Sequence, residues 1–256
     1  AETALFIAKA EGRNRVRVFS QQEDNVEHSQ QKSMAVLKET LDRILSKTRV
    51  SAISSLQLLT KNVVGPEHQN HIATVSHYIT LLGDQLNLPK NHITTFQNAI
   101  TLYNSIRFLL HSDLISKPRK LTEEERKKIT DLPIKLTEIT DMFDYFTSER
   151  TVLLFHNERY DGTGTPNGLK GDEIPLGARI FNIIDSFAAM NSDRPYRARL
   201  TPQEIINELI NEAGKQFDPL LVMQTLRLIE ENALLDLETG QIHEARQELI
   251  KLFPEL

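Results

Sequence analysis

A single Gly- and Pro-rich segment, residues 161–175, interrupts a sequence whose other long stretches carry helical periodicity. Ten Gly and ten Pro in 256 residues suit long helices better than many short strands. The segment 161–175 therefore predicts a loop, and the chain on either side of it predicts an all-α bundle. The evidence for the helices is the recurrence of apolar residues three and four positions apart.

A series of helical stretches follows from this periodicity and from capping residues. A stripe formed by Ile53, Leu56, Leu59 and Val63 gives the first, which ends at Gly65-Pro66. The next are expected at 66–86 and about 91–110. Thr122 and Glu125 have the spacing of a capping box that opens a helix, and helical periodicity then continues over 129–155 with a break at Pro133. The last three are expected at 176–191, after Thr201 and after residues 217–219, and a pair of capping helices is the default after Asp236.

The first 50 residues predict two further pieces. Residues 1–10 suit an amphipathic helix with Gly12 as its C-cap, and Val16, Val18 and Phe19 suit a short strand. Residues 21–50 predict a connector with a helical stripe at Met34, Leu37, Leu41, Ile44 or Leu45, and Thr48. The stripe favours a dimerising coiled coil, and the alternative is a helix packed on the body of the domain.

Composition excludes several kinds of function. The chain has no cysteine, which excludes disulfides, thiolate metal sites and a cysteine nucleophile. A net charge of −5 argues against a broad nucleic-acid-binding face. No apolar run approaches the roughly 20 residues of a membrane span, so a cytoplasmic protein is expected. The start at Ala1, without Met, predicts a piece of a longer protein.

The most informative motif is FHNERYDGTGTPNGLKG at 155–171, followed by IPLGARI at 174–180 and DRPYR at 193–197. It resembles the signature of the HD-GYP family, metal-dependent phosphodiesterases that cleave cyclic di-GMP. The resemblance covers about 53–225 and implies an HD-domain-like helical bundle with an HD-GYP extension, here assigned to 51–256. Residues 1–20 resemble the C-terminal end of a GGDEF domain, and the alternative is an unrelated helix–strand unit.

The resemblance implies a metal site from which several ligands are missing. Matching positions retain four of the family's ligands: Glu67, His71, His156 and Asp185. Four others are replaced, by Tyr103, Asn104, Leu132 and Asn157, and the tyrosine of the Gly-Tyr-Pro signature is Thr165. Tyr103-Asn104 stands where the family has its defining His-Asp pair. No cofactor is therefore expected, and iron or manganese would be the metal if a site remained.

Three arginines are candidate phosphate ligands. Arg107 replaces the lysine of the family motif, and Arg194 and Arg197 lie in DRPYR. A guanidinium can bind phosphate through two hydrogen bonds. The alternative is that they tie the loop to Glu158, Asp161 or Asp193.

Three functions remain open. The first is a catalytically inactive regulatory module of a bacterial cyclic di-GMP signalling protein, acting through homodimerisation, a protein partner or an attached GGDEF domain. The second is a cyclic di-GMP receptor without turnover. The third is a slow metal-dependent hydrolase that uses the four retained ligands.

Overall fold

The structure is a computed structural model that describes residues 43–44, 47–55, 58, 66–115, 117, 119, 121–141, 146–193 and 197–256. Contacts divide the chain into two compact units, Ala1–Val50 and Ser51–Leu256. The predicted helix and strand of residues 1–20, and most of the predicted connector, lie outside the described residues. The assignment of these segments stays a prediction.

The second unit is helical. Residues 51–55 form a short helical piece. They are followed by α1 (Pro66–Gln85), α2 (Lys90–Ile115), α3 (Glu123–Thr130), α4 (Leu132–Asp141), α5 (Thr147–Phe155), a 3₁₀ turn (Gly171–Glu173), α6 (Leu176–Met190), α7 (Pro202–Asn211), α8 (Pro219–Glu231) and α9 (Gln241–Leu252). No strand occurs in the part of the chain that the structure describes. The predicted all-α class is confirmed, and the loop predicted at 161–175 contains only the short 3₁₀ turn.

Helix starts follow the sequence closely. Thr122 and Glu125 form the predicted capping box, and Thr201 forms another with Glu204. Asp218 caps α8 by accepting a hydrogen bond from the Leu220 amide at 2.9 Å. These caps satisfy N–H groups that have no partner within the helix.

Two expectations about helix bounds need correction. The break expected at Pro133 lies two residues earlier, at Asp131, and Pro133 is the second residue of α4. Proline fits this first turn because its missing N–H would have no intrahelical acceptor there. The C-terminal segment holds one helix, α9, instead of a pair. It packs on α7 and α8 through an apolar face that includes Ile242 and Leu249.

Helix α6 lies at the centre of the second unit. It packs against α1, α2, α5, α7 and α8. Nine of its fifteen residues are buried, among them Phe181, Ile184 and Phe187. Gly177 lies at its close approach to α2 and α5, where an added Cβ would come within 2.4 Å of the Phe96 ring and 2.9 Å of Val152 Cγ2. None of the described helices is long and apolar enough to cross a membrane.

We expect Gly177→Ala to destabilise the protein, because the added methyl overpacks the junction with Phe96 at a cost of about 1–3 kcal/mol, and the 2.4 Å approach to the ring places the cost in the upper part of this range. Alanine offsets about 1 kcal/mol of this cost, because it is the better helix former, so the expected net loss is about 1–2 kcal/mol. Urea denaturation followed by circular dichroism measures the difference. Leu176→Ala is the matched control, because Leu176 is exposed on the same helix and its replacement is expected to change stability by less than about 0.5 kcal/mol. A Gly177→Ala variant as stable as the parent would contradict the packing argument.

Candidate functional site

The centre of the candidate site is a hydrogen-bond contact between α1 and α6. His71 Nε2 lies 3.1 Å from Asp185 Oδ1. Desolvation opposes ionisation of Asp185, but the hydrogen bond from His71 and the positive charge of Arg107 hold its pKa below its usual range. Asp185 therefore carries a negative charge at neutral pH. Glu67 lies in the first turn of α1, and its side chain lies outside the described residues.

His156 follows α5 and is 6% exposed. Its Nδ1 lies 2.7 Å from the carbonyl oxygen of Leu153. This carbonyl requires an N–H donor, so Nδ1 carries the proton and Nε2 presents a lone pair. Nε2 is buried and has no hydrogen-bond partner among the described residues. Burial lowers the pKa of His156 to about 4, which leaves the ring neutral at pH 7.

The ring of Tyr103 fills the space beside His156. The two ring centroids lie 4.5 Å apart in an edge-on arrangement, and His156 stacks on Phe181 at 4.7 Å. Tyr103 also meets Phe181 edge-on at 5.7 Å. Burial raises the pKa of Tyr103, so its hydroxyl stays protonated. The position where the resembled family has a histidine ligand is part of an aromatic cluster here.

The other replaced positions are also committed to packing or to the backbone. Asn104 is fully buried, and its Nδ2 donates to the carbonyl oxygen of Ile100 at 3.1 Å. Leu132 is a fully buried core residue. Asn157 lies beside His156, and its carbonyl oxygen accepts a hydrogen bond from the Thr165 amide at 3.2 Å.

The candidate arginines are not all brought together. Arg107 is half-buried with its guanidinium 5.8 Å from the centroid of the Tyr103 ring, a cation–π contact. Arg197 donates to the carbonyl oxygen of Ala189 at 2.9 Å and so ties the following loop to the end of α6. Among the described residues, Arg197 makes no hydrogen bond or ion pair with Glu158, Asp161 or Asp193. Arg194 lies outside the described residues.

A buried carboxylate organises the glycine loop. Glu158 Oε1 accepts hydrogen bonds from the amides of Asn167 at 2.6 Å and Gly168 at 3.1 Å. Gly164 passes so close that a Cβ there would lie 2.5 Å from Cα of Glu158. Just beyond Gly164, the peptide bond between Thr165 and Pro166 is cis. The shape of the loop is therefore enough to account for these residues, without a role in binding a substrate.

An open cleft of about 230 Å³ adjoins these residues. It is lined by His156, Asn157, Arg159, Asn182, Asp185, Ser186 and Gln216. Asn182, Ser186 and Gln216 were missed by the sequence analysis. Gln216 Nε2 donates to Asn182 Oδ1 at 3.0 Å and Ser186 Oγ at 3.3 Å.

A sequence signal for two of these residues existed. Asn182, Asp185 and Ser186 stand at positions i, i+3 and i+4, so they share one face of a helix whose other faces are apolar. This polar stripe pointed to a cleft or interface. Gln216 gave no such signal, because its partners are 30 and 34 residues away in the sequence.

The described side chains do not fit a dinuclear metal centre. His71 Nε2 is already bound to Asp185, and Tyr103, Asn104 and Leu132 offer packing or backbone contacts in place of metal ligands. No group of three or more His, Cys, Asp or Glu able to hold a metal occurs in the part of the chain described here. A two-metal site requires several hard oxygen and imidazole ligands on one cavity.

Comparison with known proteins identifies the family. The HD domain family profile matches residues 39–221, and the chain belongs to that family. The chain is 34% identical over 155 residues to the cyclic di-GMP phosphodiesterase response regulator RpfG of Xanthomonas campestris, a match that covers 60% of this chain and 41% of the relative. It is 26% identical over 224 residues to a cyclic di-GMP phosphodiesterase of Thermotoga maritima, covering 85% and 60%.

A solved structure shares the fold. The crystal structure of a cyclic GMP-AMP-specific phosphodiesterase of Vibrio cholerae, V-cGAP3, superposes with a TM-score of 0.51 at 16% identity and covers 78% of this chain and 53% of that one. The chain matches 41% of the length of RpfG and 42% of a probable cyclic di-GMP phosphodiesterase of V. cholerae to which it is 27% identical. It thus matches less than half the length of each of these two curated relatives.

The buried, neutral His156 predicts loss of stability in mild acid. The unfolded chain protonates this ring near pH 6.5, whereas burial lowers the pKa to about 4 in the folded chain. The unfolded state therefore binds more protons in this window, and stability falls as pH decreases from about 6.5 towards 4, by an amount on the order of 3 kcal/mol. Urea denaturation at several pH values measures the slope.

His156→Phe is expected to flatten that slope, because a phenyl ring can keep the stacking on Phe181 without titrating. His243→Phe is the matched control, since His243 is exposed on α9 and should leave the slope unchanged. The same slope in the parent and in His156→Phe would assign the acid sensitivity to another group.

Proposed function

We propose that this chain is a catalytically inactive HD-GYP-like regulatory module of a bacterial, cytoplasmic cyclic di-GMP signalling protein. The support for the signalling pathway is the similarity to curated cyclic di-GMP phosphodiesterases. We assign 51–256 to the degenerate HD-GYP-like domain, 21–50 to a helical connector and 1–20 to the end of a GGDEF-like domain. The module would act by dimerisation, by binding a partner, or by controlling an attached GGDEF domain.

The observation that carries the proposal is the position of Tyr103. Its ring packs edge-on against both His156 and Phe181. Hydrolysis of a phosphodiester at neutral pH by this family's chemistry needs metal ions to neutralise the phosphate and to activate water. An aromatic ring supplies neither a ligand nor a negative charge. The neighbouring Asn104 offers at most a neutral carbonyl oxygen, and its amide is held by Ile100.

A second candidate is a receptor that binds cyclic di-GMP without cleaving it. The half-buried Arg107 favours it, because guanidinium groups bind phosphates. The size of the cleft argues the other way. Its volume of about 230 Å³ lies below the roughly 300–1,000 Å³ of sites that enclose drug-sized ligands. The charge of Asp185 would also repel a phosphate placed in the cleft.

Retention of cyclic di-GMP and its cleavage can be measured on one sample. We expect equilibrium dialysis against labelled cyclic di-GMP with Mn²⁺, followed by chromatography, to show intact nucleotide and no retention. Cleavage is not expected because the described side chains lack the ligands for two metal ions. Retention is not expected because the cleft is small for this nucleotide. Linear or cleaved product would show a surviving hydrolase, for which Glu67, His71, His156 and Asp185 are the candidate metal ligands. Retained, intact nucleotide would show a receptor.

A variant with the family's pair restored, Tyr103→His with Asn104→Asp, tests the cause. It is expected to retain more Mn²⁺ per chain than the parent after gel filtration. Asn232→Asp is a matched control, because Asn232 makes the same contact with a carbonyl four residues earlier, at 3.0 Å from Leu228 O, outside the site. Equal Mn²⁺ content in the restored variant and the parent would show that Tyr103 and Asn104 are not what prevents metal binding.

Dimerisation through the connector is supported by the exposed side chain of Ile44, which is 53% exposed and lies on the predicted stripe. We expect the chain to be a dimer by multi-angle light scattering and Ile44→Glu to raise its dissociation constant at least about tenfold, because a charge at an a or d position is destabilising. Val50→Glu is the control, since Val50 is equally exposed, at 56%, and lies off the stripe. A monomeric parent, or equal effects of both variants, would contradict this role of the stripe.

A further inference from the structure

The turn between α7 and α8, residues 212–217, holds the first part of the glycine loop. The Asp161 amide donates to the carbonyl oxygen of Lys215 at 2.8 Å, and the Tyr160 amide donates to the carbonyl oxygen of Gln216 at 3.3 Å. Both hydrogen bonds join backbone to backbone. The position of the 212–217 turn therefore sets the position of this part of the loop.

Side chains fasten the same turn to the cleft. Arg159 donates to Gln216 Oε1 at 3.0 Å and to Glu212 Oε2 at 2.7 Å. Gln216 Nε2 donates to Asn182 Oδ1 and Ser186 Oγ on α6. Arg159 and Gln216 both line the cleft. A movement of the 212–217 turn therefore changes the lining of the cleft as well as the loop.

Phe253, directly after α9, packs on the backbone of this turn. Gly214 has a φ of +72°, and a Cβ added there would lie 2.8 Å from Cζ and 2.9 Å from Cε1 of Phe253. The ring thus occupies the place that a side chain at position 214 would need. The Phe253 amide donates to the carbonyl oxygen of Leu249 at 2.9 Å, and Leu249 is fully buried. Helix α9 therefore fixes the ring against the turn.

A second contact joins the residues after α9 to the loop, and it is electrostatic. Burial raises the pKa of Tyr160, and the charges of Asp218, Asp172 and Glu255 raise it further, whereas Arg179 opposes the rise. Glu255 stands two residues after the aromatic ring that covers the turn. The segment that follows α9 therefore lies near the loop itself as well as near the turn.

The later part of the loop is held by contacts that do not use the turn. Glu158 Oε1 accepts hydrogen bonds from the amides of Asn167 and Gly168. The carbonyl oxygen of Glu158 accepts a hydrogen bond from Asn182 on α6. Release of the turn should therefore loosen residues 160–161 and leave residues 167–168 in place.

We propose that Phe253 is a positioning residue through which the end of α9 controls the glycine loop and the cleft, with the 212–217 turn as the link. Displacement of the ring would uncover Gly214, a residue with more backbone freedom than any other type. The turn would then hold Tyr160 and Asp161 less firmly. Phe253 is only half-buried, so a molecule that binds at the end of α9 can reach it. The link does not require the domain to hydrolyse or bind a nucleotide.

Hydrogen–deuterium exchange of the full chain, followed by nuclear magnetic resonance, tests the link. Phe253→Ala is expected to raise the exchange rates of the Tyr160 and Asp161 amides by about fivefold or more, because a local opening that costs less free energy occurs more often. The Asn167 and Gly168 amides are expected to keep the rates of the parent chain, since Glu158 holds them independently.

Leu252→Ala is the matched control, because Leu252 is the neighbouring residue, is 57% exposed and should leave all four rates unchanged. Equal increases at all four amides in Phe253→Ala would indicate a loss of stability of the whole domain. Unchanged rates at Tyr160 and Asp161 would show that the loop does not depend on Phe253. Either result would overturn the proposal.

Two further measurements cover a Phe253→Ala variant that does not fold. Phe253→Leu keeps an apolar side chain without the ring and is expected to raise the Tyr160 and Asp161 rates about twofold or more. Coupling between two sites is reciprocal, so Arg159→Ala, which unties the loop from the turn, is expected to raise the exchange rate of the Gly214 amide. Parent-like rates in both variants would overturn the proposal.

Discussion

The burial of α6 against five other helices is the constraint on which the site depends. Its apolar faces are held by the core, so its polar stripe can point only to the remaining side, where α1, the end of α5 and the turn before α8 converge. His71, His156 and Gln216 reach this stripe from three separate parts of the sequence. The site is therefore a consequence of core packing, and its geometry survives changes of individual side chains as long as the core is kept.

The replacement of a metal ligand by Tyr103 that we propose would add to the packing of the core. A charged ligand set without its metal would leave unpaired carboxylates in a partly buried site, which is costly. An aromatic ring packed on His156 and Phe181 adds apolar contact instead. Asp185 keeps its charge through His71 and Arg107. The charge of Asp185 is thus compensated by side chains of the protein itself.

Local features were predictable from the sequence, and long-range hydrogen bonds were not. Helices start after Thr122, Thr201 and Asp218, because these short polar side chains can reach the free amides of the first turn. Each side chain and the amide that it binds lie within three residues of one another, so the sequence pattern reveals the contact. The break near Pro133 was placed two residues late, because proline is also accepted in a first turn. The contacts of Gln216 with Asn182 and Ser186 join residues at least 30 positions apart, and no local pattern encodes them.

The shape of the glycine loop has a physical explanation in Glu158. Its carboxylate binds the amides of Asn167 and Gly168, and its carbonyl oxygen accepts from Asn182 on α6. These contacts hold the loop to the bundle without passing through Tyr103, Asn104 or Leu132. The shape of the loop therefore does not depend on contacts with the side chains at those positions. The signature loop is therefore evidence for the fold of this family. Whether a domain with this loop can bind metal depends on the side chains at the ligand positions.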